Sequence, residues 1–137
     1  FKNRPWLLTS EVNGESETLN KLSQFLEGLG AIPHTMSTEE HDRLVATLNH
    51  LPQLTASALM HVLGTRLGKE GLAFSGRSVF DATKLASSSF ETWRDICATN
   101  ADQLGSALDQ LIVVLQIRID PKVHIKNSGG PMRAAGF

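Results

Sequence analysis

Apolar residues recur at helical spacing through most of the chain, and the places where that rhythm fails mark its joints. Leu19, Leu22, Leu26 and Leu29 predict a first helix that starts near Ser16 and is stopped by Gly28 and Gly30. Ser37 followed by Glu40 fits a capping box, in which the hydroxyl and the carboxylate each satisfy an orphaned backbone N–H, so a second helix should begin at Ser37. Its apolar stripe is Leu44, Leu48, Leu51, Ala58, Leu59 and Val62. With about 100° per residue, His50, Gln53, Ser57 and His61 share the opposite side, close to Arg43. Pro52 has no N–H and its ring opposes the carbonyl of Leu48, so the helix has to bend or break between them. Such a bend frees a carbonyl and two side chains to face a ligand.

This kinked helix should run to Leu67, beyond which Gly64, Gly68, Gly71 and Gly76 thin the pattern into a loop or short helices. A further helical segment is expected over Val79 to Ala86. Ser87, Ser88 and Ser89 then offer an N-cap for one long final helix reaching Ile119, ended by Asp120-Pro121. Arg4-Pro5-Trp6-Leu7-Leu8-Thr9 reads as extended, and Ala31 to Met36, with Pro33, as a short connector. The fold class is therefore all-α, a helical bundle behind a short extended N-terminal segment. Residues 121–137 carry Ser-Gly-Gly-Pro and no periodicity, and read as a flexible tail or one draped on a neighbour.

The final helix carries the signal for assembly. Cys97, Ala101, Leu104, Leu108, Leu111 and Leu115 alternate spacings of four and three, the seam of helix-on-helix packing. Leu111-Ile112-Val113-Val114-Leu115, continued by Ile117 and Ile119, is apolar nearly all round and needs cover on more than one side. A second copy would supply it, giving a homodimer through the C-terminal helices. The other reading is a fully buried central helix in a monomer.

Composition narrows the classes. The 137 residues make one ordinary domain, and with 20% charged residues and a formal net charge of −1 there is no basic stripe for nucleic acid. The single cysteine, Cys97, forms no internal disulfide, and neither a signal segment nor a long apolar run suggests a membrane. The chain reads as cytoplasmic. No G-x-G-x-x-G lies between a strand and a helix, and Gly68, Gly71 and Gly76 have the wrong spacing, so no dinucleotide site is expected within it. A metal site from His34, His41, His50 and His61 is not expected, because His41 and His50 face opposite ways on a regular helix.

Four motifs stand in register: His41-Asp42, Asn49-His50-Leu51-Pro52-Gln53, Phe80-Asp81-Ala82-Thr83-Lys84 and Trp93-Arg94-Asp95. From Phe1 to Ile119 the chain resembles the C-terminal domain of the prephenate/arogenate dehydrogenase family, whose members read HD, SHLPH, a glycine-rich GGGF, D-x-T-R and WRD in this order. The resemblance implies a helical fold of the 6-phosphogluconate dehydrogenase C-terminal type, which forms the dimer and one wall of the substrate cleft. It implies an NAD- or NADP-dependent oxidative decarboxylation of prephenate or arogenate in tyrosine biosynthesis. Residues 1–12 would then be the end of a preceding Rossmann domain and its linker, residues 13–120 the helical domain. The cofactor and the family's catalytic histidine would both lie upstream, leaving this fragment inactive alone, with no catalytic or cofactor-binding residue of its own.

The candidate substrate contacts are His50, Gln53, Lys84, Arg77 and Asp81. His50 either meets substrate or bonds a local carbonyl. Gln53 stands where many members carry a second histidine, and an amide donates and accepts but cannot titrate. Lys84 replaces the family's arginine, keeping the charge and losing the fork that grips a carboxylate, unless it is simply a solvated lysine. Asp81 is placed to pair with Lys84 or to cap its turn. Arg77 and Ser78 stand where the family has bare glycine, and either narrow the pocket or supply a replacement cation. Trp93-Arg94-Asp95 is expected to serve structure, with Trp93 buried near the start of the last helix. Two other functions fit the departures: a stand-alone helical dimerisation module, or the C-terminal domain of another hydroxy- or keto-acid oxidoreductase.

Overall fold

The computed structural model describes residues 1–10 and 17–119. Strand β1 (Pro5–Thr9), helix α1 (Glu17–Gly28) and strand β2 (Ile32–Met36) form a unit in which the two strands pair in parallel, Pro5 opposite Ile32 and Thr9 opposite Met36. The expected connector is thus a strand over Ile32–Met36. Pro33 is tolerated because this pair has two open edges, where a missing N–H costs no ladder bond. Helix α1 ends in a Schellman closure. The Ala31 N–H donates to the Leu26 carbonyl at 3.0 Å and the Gly30 N–H to that of Glu27 at 2.8 Å. Gly30 takes φ +83°, which a side chain would resist. This closure presses Leu26 and Ala31 onto Leu8, a small core of its own.

Ser37 caps α2 (Thr38–Val45) as expected, its hydroxyl accepting from the Glu40 N–H at 3.1 Å. The predicted bend is present as a π turn over Ala46–His50, closed by the Leu51 N–H donating to the Ala46 carbonyl five residues back. The wider turn relieves the opposition between the Leu48 carbonyl and the Pro52 ring, and the chain passes into α3 (Leu51–Leu72) without a break at Pro52. At Gly68 the backbone leaves helical geometry, with φ 61° and ψ −173°, close to where the sequence ends this helix.

The expected helix over 79–86 is α4 (Arg77–Thr83) followed by a 3-10 turn at Lys84–Ser87. The long final helix is two helices, α5 (Phe90–Thr99) and α6 (Ala101–Ile119). Asn100 divides them. Its backbone is non-helical and its buried side chain donates to the Asp42 carbonyl at 2.7 Å, a bond that competes with helix continuation. Cys97 therefore lies on a different helix from the rest of the proposed heptad. On α6, Leu104 and Ala107 are buried while Ile112, Val113, Val114 and Leu115 are about half exposed and Ile119 is 82% exposed. No large side chain is fully buried among the described residues. The expected helix start at Ser16, the stop at Asp120-Pro121 and the tail 121–137 lie outside the described residues.

Candidate functional site

The π turn decides where the polar residues of the kinked helix go. It adds one residue to the turn, so His41 and His50 no longer stand on opposite sides of the axis as they would on a regular helix. Their fields now meet: burial holds the His50 imidazole below its ordinary value of 6.5, Asp42 raises it in part, and His41 lowers it further. His41 itself faces Asp42, Nδ1 to Oδ1 at 3.0 Å.

His50 is 7% exposed. Its ring stands edge-on to Trp93, centroids 5.9 Å apart at 79°. Its Nδ1 is buried with no hydrogen-bond partner among the described residues. A buried polar atom without a partner costs about 1–3 kcal/mol, a cost this fold carries at His50. Of the two expectations for His50, a bond to a local carbonyl finds no support at Nδ1.

Gln53 is also buried, at 3% exposure. Its Nε2 donates to the Leu85 carbonyl at 2.8 Å, and its Oε1 accepts from the Ser88 hydroxyl at 3.5 Å. The amide thereby ties α3 to the 3-10 turn that begins with Lys84. Lys84 is exposed and forms no ion pair among the described residues. Asp81 pairs with Arg77 instead of Lys84, Nε to Oδ2 at 3.4 Å, both on the exposed side of α4. The spacing explains the choice: four residues put Arg77 and Asp81 on one helix face, whereas Lys84 already sits in the tighter turn.

The structure thus joins Gln53 to the Lys84 turn and joins Arg77 to Asp81 as two separate pairings. A cleft of about 650 Å³ opens between α3, the 3-10 turn and α5, lined in part by Gln53, Ser57, Ser88, Trp93, Arg94 and Cys97. Trp93 is half-buried and touches both this cleft and His50, while Arg94, also on the cleft wall, pairs with Asp95 at 2.8 Å. Burial pushes the Cys97 thiol up, away from the reactive thiolate. Ser88 and Asn100 were not singled out as site residues by sequence. Ser88 was hidden among three serines that all read as caps, and Asn100 lay within a continuous helical pattern.

A family model described as "Prephenate dehydrogenase, dimerization domain" matches residues 37–119. It starts at the Ser37 cap, so the β1–α1–β2 unit lies before it. The cyclohexadienyl dehydrogenase of Zymomonas mobilis is 29% identical over 119 residues, 85% of this chain and 41% of that protein. The prephenate dehydrogenase of Bacillus subtilis is 31% identical over 114 residues, 82% of this chain and 31% of that protein. The chain spans less than half the length of these curated relatives. Among solved structures, a prephenate dehydrogenase from Aquifex aeolicus in complex with hydroxyphenyl propionate and NAD+ shares the fold with TM-score 0.77 at 24% identity, covering 86% of this chain and 43% of that one. The arogenate dehydrogenase of Synechocystis does so with TM-score 0.71 at 24% identity, covering 90% of this chain and 49% of that one. With the family model matched from the helix cap to the end of α6, the chain belongs to the prephenate dehydrogenase dimerization-domain family.

Proposed function

We propose that this chain is the dimerising and substrate-side part of an NAD- or NADP-dependent dehydrogenase that oxidatively decarboxylates prephenate or arogenate. The observation that carries the reading is the family match over 37–119, which holds the π turn, the buried His50 and the Lys84 turn within one continuous segment. The parallel β1–β2 pair, with both outer edges open and lying before the matched segment, fits the closing strand-helix-strand of an upstream nucleotide-binding domain. The described residues offer the cofactor no glycine-rich strand-to-helix turn, so that upstream part would hold it.

A nicotinamide held by that upstream part would supply the hydride acceptor for a substrate ring that loses its carboxylate as CO₂ and becomes aromatic. This chain's residues would position the substrate. Lys84, a free ammonium on a turn held by Gln53, meets a carboxylate. His50, neutral under burial, would reach a polar group of substrate through Nδ1 only with a local rearrangement, since the chain encloses that atom. Arg77 adds positive charge, tempered by Asp81. The half-exposed apolar residues Leu115, Ile112 and Val113 on α6, with Leu59 and Val62 on α3, would be covered by a second copy, as the family's description implies.

The test is to express the full-length parent and follow formation of reduced nicotinamide with prephenate and with arogenate. Turnover of either, lost on removal of the residues before Ser37, is the expected result. No turnover of either substrate by a folded, dimeric parent would leave the chain a dimerisation module.

A further inference from the structure

Gln53 occupies the position where the substrate-facing reading expects a side chain reaching into the cleft, yet both ends of its amide are already used within the chain. Nε2 donates to the Leu85 carbonyl at 2.8 Å and Oε1 accepts the Ser88 hydroxyl at 3.5 Å. The same Leu85 carbonyl also accepts the Ser88 N–H at 3.1 Å. Within the 3-10 turn the Ser87 hydroxyl donates to the Lys84 carbonyl at 3.0 Å, but Lys84, Leu85 and Ser87 are exposed and only Ala86 is half-buried, so Gln53 supplies the side-chain bond that joins it to α3. A short 3-10 segment has poor hydrogen-bond geometry and frays readily. A buried side-chain bond from a long, rigid helix removes that freedom.

We propose that Gln53 is a positioning residue: by clamping Leu85 and Ser88 it fixes the turn and sets where the Lys84 ammonium stands, and it does not itself touch substrate. The proposal rests on the reading of Lys84 as a substrate contact. It also accounts for two departures from the family pattern together. An amide can satisfy a carbonyl and a hydroxyl at once without titrating, which suits a neutral buried clamp. A lysine reaches a carboxylate with a flexible stem, so its anchor has to be fixed if it is to keep affinity without the guanidinium fork.

The experiment uses the full-length parent and the variants Gln53→Met, which keeps the volume and loses both bonds, and Gln53→Glu, which keeps the shape and loses the donor when ionised. Backbone hydrogen exchange without substrate reports the clamp. The Ser88 amide should exchange about tenfold faster in Gln53→Met. Steady-state kinetics report its purpose: KM should rise about tenfold in Gln53→Met with kcat within about twofold. Adding Lys84→Ala to Gln53→Met should raise KM no further, because both changes remove the same contact. Gln53→Glu should recover a low KM on the acidic side, where its protonated carboxyl again donates to Leu85, and Gln53→Met should not.

Unchanged exchange at Ser88 overturns the clamp. KM effects that multiply in the double variant overturn the indirect role and make Gln53 a direct contact. Faster exchange with no KM change in either Lys84→Ala or Gln53→Met overturns the reading of Lys84, and with it the purpose assigned to the clamp, while leaving the clamp itself standing. If Gln53→Met does not fold, the pH-dependent pair of states in Gln53→Glu carries the same decision alone.

Discussion

The two faces of the α2–α3 rod have exchanged the places that their chemistry would assign them. On one face His50 and Gln53 are buried; on the other Leu48 is 69% exposed and Val62 49%. Burying polar groups and leaving leucines in water is unfavourable in a self-sufficient domain, by about 0.8 kcal/mol for each exposed methylene and more for each unpaired polar atom. The buried face is partly satisfied from within, by the Gln53 clamp, and partly unsatisfied, at His50 Nδ1. The apolar face and the outer half of α6 lack cover within the described residues. The difference is one that the proposed function would resolve from two directions, with a polar group of substrate on one face and a second copy on the other.

The largest expected effect comes from breaking the apolar side. Leu111→Asp with Leu115→Asp places two charges on the outer half of α6 and should cost the dimer about 3–6 kcal/mol of apolar burial, before any desolvation of the carboxylates. Light scattering should show a dimer for the unmodified chain at micromolar concentration and a monomer or aggregate for the double variant. A well-folded unmodified monomer would mean that the exposed leucines have another purpose.

The polar side can be broken without harming the fold. His50→Phe fills the same space beside Trp93 and removes the unpaired nitrogen, so the melting temperature should hold or rise. In the full-length parent the same change should lower kcat/KM by about tenfold to a hundredfold, as expected for one lost polar contact to substrate. A large fall in melting temperature with unchanged kinetics would make His50 a structural residue.

These two sides differ in how legible they were. Capping by Ser37 and the bend before Pro52 follow from backbone donors and ring sterics, local causes that need no knowledge of the rest of the molecule. The form of the bend was not legible. A π turn changes the angular step, so a wheel drawn at constant pitch set His41 opposite His50, whereas the folded chain brings their fields together. The strand at 31–36 escaped because its partner is β1, far away in sequence, and long-range pairing leaves no local period. The break at Asn100 depends on one side chain finding the Asp42 carbonyl, and the Arg77–Asp81 pair depends on where α4 starts. The residues proposed for the site were nameable from motifs, while which of them are free and which are occupied required the fold.

Smaller effects sharpen the polar side. Lys84→Ala should weaken substrate binding by about 2 kcal/mol if the ammonium pairs with a substrate carboxylate, against less than about 1 kcal/mol for a solvated lysine. Lys84→Arg should hold or improve KM, since a guanidinium restores the fork. The pH dependence follows the sign of the His50 shift. Its folded value lies below the ordinary 6.5, so between the two the unfolded chain binds the extra proton. Stability is therefore full above pH 6.5 and declines as pH falls from there toward the folded value, with Asp42 and His41 moderating the slope in opposite directions. Urea midpoints across this range should fall for the unmodified chain and fall less for His50→Phe.

The smallest effect separates the two meanings of Arg77. Its side chain is 90% exposed and its link to Asp81 is long at 3.4 Å, so the pair should contribute less than about 0.5 kcal/mol to stability. If Arg77 nonetheless adds a field that draws a carboxylate toward the cleft, Arg77→Ala and Asp81→Asn should move KM in opposite directions, up by about twofold to threefold and down by a similar factor. Both shifts should vanish at high salt, because exposed charges are screened over a few ångströms there while the Lys84 contact, fixed by its clamped turn, persists. If KM moves the same way in both variants, or the shifts survive high salt, Arg77 acts by narrowing the cleft rather than by its charge.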